Sequence, residues 1–383
     1  MLMKIIHTSD WHIGRQFHGM SLLDDQRHVL DQLIAYIKTE AVDAVIIAGD
    51  IYDRSVPPAN AVSLLDEVLN TICSELGVPV ILIPGNHDGA ERLRFGSKQL
   101  RQAGLHIIGE LNQITQPVIL TKDGCEVAFY GIPYNDPEAV RNHFSVDVSS
   151  HDEAHQFLVE QINLAKSESA INVLVSHCFI DGAEESESER PLSIGGADRV
   201  GFQSVTGFDY VALGHLHNPQ YKGEDHIRYS GSILKYSFSE QRQQKGVTLI
   251  EMHATGLKSI QQLPLKPLRD MRILEGDLNT LLEQGRTDPN NKDYLLVRLT
   301  DQSAILDPMG KLRQVYENVL HTEKTWLQDS SNLQVNSTKL KRGELEMFTD
   351  FFEQVSGIPL TEEQDAAIKA IITTIHAHEG GLL

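Results

Sequence analysis

Cysteine is scarce in this chain of 383 residues, which contains only Cys73, Cys125 and Cys178. An odd number of widely spaced thiols forms neither a disulfide framework nor a CxxC zinc knot, as expected in a reducing cytosol. No apolar run approaches the roughly 18 residues that span a bilayer. The first residues, MLMKIIHTSDWH, lack the architecture of a signal peptide. We therefore expect a cytoplasmic protein without a membrane segment.

Basic residues are also few relative to acidic ones. The chain has 33 lysines and arginines against 53 aspartates and glutamates, which gives a net charge of −20. A field of this sign repels polyanions, so a role on nucleic acid would require local patches, bound metal or a partner. The hydrophobic share of 41% is sufficient for a sizeable core. At roughly 150 residues per domain, the length indicates about two or three domains.

The first 250 residues alternate short β-branched runs with longer amphipathic stretches. The runs predict strands at 4–8, 43–48, 79–84, 127–132, 172–176, 210–213 and 246–252. Helical spacing is present at 22–40 and 60–76. Strands separated by helices are typical of an α/β layered domain, and we predict two stacked β-sheets flanked by helices over residues 1–264.

Three further pieces are predicted after this domain: a small α+β domain at 265–328, a polar linker at 329–342 and a helical hairpin at 343–383. The small domain has predicted strands at 269–275, 294–299 and 319–326 and predicted helices at 277–284 and 308–318. In the hairpin, Thr361 and Gln364 form a predicted capping box. It precedes an isoleucine stripe of helical spacing, made of Ile368, Ile371, Ile372 and Ile375.

Five of the predicted strands end in polar motifs. They are DWH at 10–12, GDIYD at 49–53, GNHD at 85–88, VSH at 175–177 and GHLH at 214–217. Ligands of open α/β sheets gather at the carboxyl ends of strands, so we expect these motifs to converge on one edge. We expect the glycines before Asp50, Asn86 and His215 to make sharp turns that aim these side chains inward.

Carboxylate, imidazole and one amide oxygen, with no thiolate, suit Mn²⁺, Fe²⁺ or Zn²⁺. The candidate ligands are Asp10, His12, Asp50, Asn86, His177, His215 and His217. This set is too large for one tetrahedral ion and suits two ions that share a bridging carboxylate and clamp a phosphoryl group.

His87 is predicted to be a catalytic residue that binds no metal, with Asp88 orienting its imidazole. It would stabilise the phosphoryl oxygens or protonate the leaving alkoxide, while a water on the metals attacks. Asp53 is predicted to support the ligands or cap the loop. Strand alternation aims Cys178 away from the metals, as a buried thiol.

The ordered set of motifs resembles the calcineurin-like metallophosphoesterase superfamily over about residues 4–253. Within it, longer strings resemble the SbcD family, the nuclease subunits of bacterial SbcCD complexes. These strings are HTSDWHIG at 7–14, DRSVPP at 53–58, YVALGHLHNPQ at 210–220 and IRYSGSILKYSFSE at 227–240.

The resemblance implies a two-metal DNA nuclease, a 3'-5' exonuclease and endonuclease on ends, hairpins and single strands. It would act in the nucleoid in repair, recombination and replication, as a homodimer within a heterotetramer with the SMC-like ATPase SbcC. The family's activating ion is Mn²⁺. Asp10, His12, Asp50 and His217 would hold one ion, and Asp50, Asn86, His177 and His215 the other. The domain at 265–328 would be the capping domain, and the hairpin would bind the coiled coil of SbcC.

DNA would be held through its phosphates, without strong sequence preference. The predicted contacts are Arg15, Ser55, Ser230 and Ser232. The acidic loop 181–190, DGAEESESER, is predicted to be solvated.

Two other functions fit parts of the chain. A small-molecule phosphodiesterase or nucleotidase of the same superfamily would share the core, but the small domain and the hairpin weigh against it. A non-catalytic scaffold would lack a ligand or the GNHD histidine, and neither is missing.

Overall fold

The computed structural model describes residues 2–168, 170–189, 198–301, 305–324 and 344–379. The chain divides into two compact units, residues 1–270 and 271–383, which are described separately. All five strand-end motifs lie in the first unit.

The first unit contains two six-stranded sheets. The first sheet has the order Gly256–Pro264, Gly246–His253, Leu2–Thr8, Ala44–Ala48, Val80–Ile83 and Leu105–Ile107. Its last four strands run parallel, and Gly246–His253 is antiparallel to both neighbours. The second sheet has the order Gln220–Lys222, Glu224–Tyr229, Tyr210–Gly214, Ile171–His177, Cys125–Ile132 and Val118–Lys122. Its four central strands are parallel, and its two edge strands are antiparallel.

The two sheets stack face to face, which confirms the predicted layering. Ile5 and Ile46 of the first sheet share one buried cluster with Val173 and Val175 of the second. Leu174 points to the opposite face and packs in a separate cluster. This alternation along one strand follows from the two-residue period of β-structure and explains why the strand is apolar throughout.

Helices flank the sheets. In this unit they are Leu23–Thr39, Ala59–Leu69, Ala90–Leu93, Ser97–Leu100, Pro137–Phe144 and His151–Ala165. Ala59–Leu69 continues into a wider turn at Asn70–Glu75, so both predicted helices are confirmed. The free thiol of Cys178 is buried, as expected.

The first unit extends past the predicted boundary at residue 264. The backbone N–H of Leu265 donates to the carbonyl of Lys245 at 2.9 Å, and the Arg269 guanidinium pairs with the buried Asp25 carboxylate. Residues 265–270 therefore belong to the first unit, and its boundary lies after Asp270.

The second unit begins with a three-stranded parallel sheet of Met271–Gly276, Tyr294–Leu299 and Asn318–Lys324, in that order. The helix Leu278–Gly285 matches the prediction, whereas the helix predicted at 308–318 ends at Leu312. The chain turns after Leu312, and the Arg313 guanidinium donates to the carbonyl of Val319 at 2.8 Å. The predicted linker, 329–342, lies outside the described residues.

Glu344–Ser356 and Glu362–Glu379 form the predicted helical hairpin. The capping box is confirmed. The Thr361 hydroxyl accepts the backbone N–H of Gln364 at 3.3 Å, and the Gln364 side chain accepts that of Thr361 at 3.0 Å. Phe351 of the first helix and Ile371 of the second expose 60% and 54% of their surface, so apolar side chains of both helices face solvent.

Candidate metal centre

The loops after the first two parallel strands stay paired beyond the strand ends. The backbone N–H of Asp10 donates to the carbonyl of Gly49 at 3.0 Å, and that of His12 donates to the carbonyl of Asp50 at 2.9 Å. The Asp10 carboxylate accepts the backbone N–H of His215 at 3.0 Å. Three motifs from the two sheets are thereby joined at one edge.

Four candidate ligands adopt left-handed backbone conformations. The φ angle is 53° for Asp10, 45° for His12, 51° for Asp50 and 106° for His215. Residues other than glycine rarely adopt this region. The strain is of order 1–3 kcal/mol each, and such residues cluster at functional sites. The fold thus holds these four side chains in place against a local conformational cost.

The glycines at 49, 85 and 214 are required for space. A Cβ on Gly49 would lie 2.3 Å from the His177 imidazole, and one on Gly85 would lie 2.2 Å from the Asp50 carboxylate. A Cβ on Gly214 would lie 1.8 Å from a backbone carbonyl oxygen. Of the three, Gly49 alone has a positive φ, 93°. The expected sharp turn is therefore found at one glycine, and close packing explains the other two.

One cluster of donor atoms consists of Asp10, His12 and His217, all buried, with ligand atoms within 4.8 Å of one another. The Nε2 atoms of His12 and His217 lie 3.1 Å apart. The other ring nitrogen of His12, Nδ1, is buried without a hydrogen-bond partner among the described residues, and Asp53 Oδ1 lies 4.0 Å from it.

A second cluster consists of Asp50, His177 and His215, again within 4.8 Å. Asn86 Oδ1 lies 2.9 Å from His177 Nε2 and 3.3 Å from His215 Nδ1. Asp50 Oδ2 lies 3.6 Å from His177 Nε2 and also 3.6 Å from His12 Nε2. One carboxylate oxygen therefore lies between the two clusters.

Burial determines the charge state of these groups. It lowers the pKa of His12, His177 and His215 below the ordinary imidazole value, so these rings are neutral and present lone pairs. Burial and the neighbouring Asp50 carboxylate raise the pKa of Asp10 well above its usual range. A cation would relieve this crowding of buried carboxylates.

The donor set fits two divalent cations. Neutral imidazoles, buried carboxylates and one amide oxygen converge without a thiolate, the chemistry suited to Mn²⁺, Fe²⁺ or Zn²⁺. Two clusters on either side of Asp50 match the arrangement of two-metal sites.

His87 is positioned by Asp53 and not, as predicted, by Asp88. Its Nδ1 lies 2.8 Å from the backbone carbonyl of Asp53, and since a carbonyl only accepts, Nδ1 carries the hydrogen. Its Nε2 lies 4.0 Å from Asp50 Oδ2, and its ring packs edge-on against His12. His87 thus faces the two clusters through Nε2.

Asp88 has a different role. Its carboxylate accepts the backbone N–H groups of Ile51, Tyr52 and Gly85 at 3.1, 2.9 and 2.9 Å. Burial and the nearby Asp50 raise its pKa to about 7. Asp88 therefore ties the second motif to the third, and the prediction that it orients the His87 ring is corrected.

Two of the predicted DNA contacts lie in the interior. Ser230 is fully buried, with its hydroxyl 2.9 Å from that of Ser9. Ser232 is also fully buried, donates to the carbonyl of Leu234 at 2.7 Å and accepts from Lys245 Nζ at 2.8 Å. Because both hydroxyls belong to internal networks, these two predictions are corrected.

The other two predicted contacts remain accessible. Ser55 is exposed. Arg15 is half-buried, 3.3 Å from Asp53 Oδ1 and 3.2 Å from the carbonyl of Ser188. Their contact with DNA stays a prediction.

Sequence reasoning missed a group of polar residues around His217, namely Ser188, Glu189, Glu240 and Lys245. Burial by itself raises the pKa of Glu240, but the Lys245 ammonium and the contact with His217 outweigh it, so the pKa lies below the usual carboxyl range. Glu240 ends the string at 227–240, and Ser188 and Glu189 lie in the acidic loop, but neither pattern indicated contact with His217.

Comparison with known proteins identifies the family. Residues 3–219 match the family model "Calcineurin-like phosphoesterase", and residues 267–356 match "Type 5 capsule protein repressor C-terminal domain". A curated relative, the SbcD component of the nuclease SbcCD of Staphylococcus epidermidis, is 36% identical over 99% of this chain and 100% of its own length. The chain belongs to the SbcD family of calcineurin-like phosphoesterases. As a member of this family it is a metal-dependent phosphodiesterase, which agrees with the donor clusters.

Solved structures also resemble this SbcD family member, at low identity. A dimetal phosphatase from Danio rerio is 12% identical, with 69% of this chain and 99% of that chain covered and a TM-score of 0.38. GAP50, the anchor in the inner membrane complex of Plasmodium, is 15% identical, with 69% and 89% covered and a TM-score of 0.40. Across the described ranges, no helix has the length and apolarity needed to cross a membrane.

Proposed function

We propose that this chain is a DNA nuclease that uses two divalent ions, with Mn²⁺ as the activating ion. It acts as a 3'-5' exonuclease and an endonuclease on ends, hairpins and single strands, in DNA repair, recombination and replication. The observation that carries the proposal is the position of Asp50 Oδ2, 3.6 Å from both His12 Nε2 and His177 Nε2. A carboxylate between two donor clusters suits the bridge of a two-metal phosphodiesterase site. The family relationship supports DNA as the substrate.

The ligands divide between the clusters. One ion would be held by Asp10, His12, Asp50 and His217, and the other by Asp50, Asn86, His177 and His215. When bound, such ions supply Lewis acidity and lower the pKa of water. The protein's own contribution is the fixed orientation of these side chains, which its left-handed backbone positions and close glycine packing maintain.

His87 acts on the substrate from beside the ions. The carbonyl of Asp53 holds its Nδ1–H, so the proton that can be exchanged is on Nε2. From there the imidazole stabilises the phosphoryl oxygens or donates a proton to the leaving alkoxide. Its contact with His12 keeps the ring at the edge of the two clusters.

The partner we propose is the ATPase SbcC, bound through the hairpin 343–383. Exposed Phe351 and Ile371 support a docking role, because two short helices with an unburied apolar stripe gain stability from a partner. SbcC would also supply much of the DNA-binding surface, which the net charge of −20 otherwise disfavours. We also propose that the complex acts in the nucleoid, where its DNA substrate lies.

A homodimer is proposed through the helices near 60–76 and 91–103. Phe95 there exposes 87% of its surface, and Val62 and Leu100 expose 44% and 38%. These three side chains line one surface cavity, and exposed apolar residues that cluster in this way are typical of a protein interface.

The test is a substrate comparison with Mn²⁺. The purified chain is incubated with an oligonucleotide, bis-p-nitrophenyl phosphate and mononucleotides, with and without SbcC and ATP, on hairpin and blunt duplex. We expect cleavage of the oligonucleotide and of the diester, stimulation on duplex by SbcC with ATP, and no cleavage by the Asp50→Ala variant. Hydrolysis of mononucleotides alone would instead identify a small-molecule phosphoesterase.

A further inference from the structure

Part of the acidic loop packs against the metal centre, although residues 181, 182, 184, 185 and 187 are exposed, as predicted. In its described part, the side chain of Gln243 donates to Ser186 Oγ at 2.9 Å and Arg15 donates to the carbonyl of Ser188 at 3.2 Å. Ser188 and Glu189 are only partly exposed, whereas Glu187 between these contacts is exposed. Residues 184–189 are called the strap below.

The strap holds one ring nitrogen of His217. Ser188 Oγ lies 2.7 Å from His217 Nδ1 and is also bonded to Glu240, whose Oε1 lies 3.4 Å from the same nitrogen. Glu240 is fully buried and its Oε2 lies 2.5 Å from Lys245 Nζ. An ionised carboxylate only accepts, so the Ser188 hydroxyl donates to Glu240 and accepts from His217 Nδ1–H.

The backbone of the same histidine is held from two sides. Glu189 Oε1 accepts the backbone N–H of His217 at 2.7 Å, and Lys245 Nζ donates to its carbonyl at 2.7 Å. Its N–H, carbonyl and Nδ1 thus all have partners. Nε2 then carries the lone pair, and it faces His12 Nε2 at 3.1 Å, in the cluster that contains Asp10.

We infer that Ser188, Glu189 and Glu240 are positioning residues that fix the tautomer and place of His217 for the ion of the Asp10 cluster. This inference rests on the proposed two-metal function. A hydrogen-bonded acceptor behind a ligating imidazole orients the ring and raises its basicity, and losing it lowers metal affinity about 10–100-fold. The other cluster contains no atom of the strap, so the loss is confined to one of the two ions.

The experiment is a titration of the full metal-free chain with Mn²⁺, by calorimetry and by electron paramagnetic resonance of the coupled ion pair. Two reference variants, His12→Ala and His177→Ala, define the loss of each ion separately. We expect Ser188→Ala and Glu189→Ala to lower the affinity for one Mn²⁺ ion about 10–100-fold. The ion affected should be the one that His12→Ala also loses, as judged from the resonance spectrum. Ser188→Thr keeps the hydroxyl and Glu189→Gln keeps an acceptor oxygen, so both should restore binding.

Glu187→Gln is the matched control, since it removes a charge from the strap at an exposed side chain and should bind as the wild type does. Glu240→Gln also deprives Lys245 of its counter-ion. If that variant does not fold, the two strap variants decide the result. Wild-type affinity for both ions in Ser188→Ala and Glu189→Ala overturns the inference. An equal loss of affinity for both ions, together with a lower unfolding temperature, also overturns it, because the strap would then have only a general structural role. A wild-type chain that binds two Mn²⁺ ions but does not cut DNA would refute the proposed function alone.

Discussion

His12 Nε2 and His217 Nε2 face each other at 3.1 Å, although 205 residues separate them in the chain. Nδ1 of His217 is engaged by Ser188, so the His217 lone pair points at its neighbour. Burial and the adjacent His217 lower the pKa of His12, so the His12 ring is neutral. Two imidazole nitrogens that converge in this way beside Asp10 fit a bound cation.

Replacing His87 should reduce hydrolysis without removing metal. We expect His87→Gln to lower the rate on bis-p-nitrophenyl phosphate with Mn²⁺ by about 10²–10⁴-fold, the usual contribution of a general acid or base. The manganese content, measured in parallel, should stay at the wild-type value because His87 is not among the proposed ligands. A variant that keeps its metals and its full rate would reject the catalytic role of His87.

Adding a methyl group at residue 85 should damage the metal centre. A Cβ on Gly85 would lie 2.2 Å from Asp50 Oδ1, so Gly85→Ala must displace the carboxylate between the two clusters. We expect manganese binding to weaken about tenfold or more, as measured by calorimetry. Gly109→Ala is the control, because its Cβ would meet only ordinary contacts at 3.7 Å. Equal affinities in the two variants would show that Asp50 does not bind metal.

Asp88 should matter for stability through the loops that it joins. Its two carboxylate oxygens accept three backbone N–H groups. An asparagine side chain has only one acceptor oxygen, so its NH2 group would face at least one backbone N–H. We expect Asp88→Asn to lower the free energy of unfolding by about 1–3 kcal/mol in urea titrations of the metal-free protein. The exposed Asp31→Asn variant should show no such loss. An unchanged midpoint for Asp88→Asn would contradict this role.

His155 should make the protein sensitive to acid. It is buried, with Nε2 2.8 Å from Ser176 Oγ, and burial lowers its pKa from 6.5 to about 4. Between these values the unfolded chain binds a proton that the folded state does not, so stability falls as the pH drops from about 6.5 toward 4. For this one group, the free energy of unfolding changes by at most about 1.4 kcal/mol per pH unit.

Between pH 7 and pH 5, the free energy of unfolding should therefore fall by roughly 1–2 kcal/mol less in His155→Gln than in the wild type. Urea unfolding of both metal-free proteins at the two pH values measures this difference. Identical losses would show that His155 does not titrate on unfolding.

Charging the hairpin should separate partner binding from catalysis. We expect Ile371→Asp combined with Ile372→Asp to abolish association with SbcC in a pull-down and to leave manganese-dependent cleavage of single-stranded DNA mostly intact. Ile371 is more than half exposed, so an aspartate there is solvated in the free chain. Loss of the metal site in this variant would instead indicate that the stripe packs within the protein.

The strands and the helices of the first unit were predictable because their signals are local. The helix Leu23–Thr39 buries the face that its spacing indicated, and the apolar run at Ile171–His177 is a strand buried on both sides. Convergence of the motifs also followed from local information, because parallel strands end at a common edge. The helix predicted at 308–318 is the exception, because the chain turns after Leu312.

Side-chain partners were decided by the tertiary structure. Asp88 is adjacent to His87 in the chain, yet its carboxylate faces backbone N–H groups of another loop. The strap is acidic and was predicted to be solvated, yet Ser188 lies against a histidine from the second sheet. Hydropathy reports how a residue behaves toward water on average, whereas a hydrogen bond needs a partner within about 3 Å.

The sequence by itself determined the alternation of strands and helices, the chemistry of the donor atoms and their order along the chain, because periodicity and residue type are properties of short segments. Only the tertiary structure decided which oxygen lies between the two clusters, which contact holds His87 and which residues surround His217. These relations depend on distances between segments far apart in the chain, and a one-dimensional pattern does not encode them.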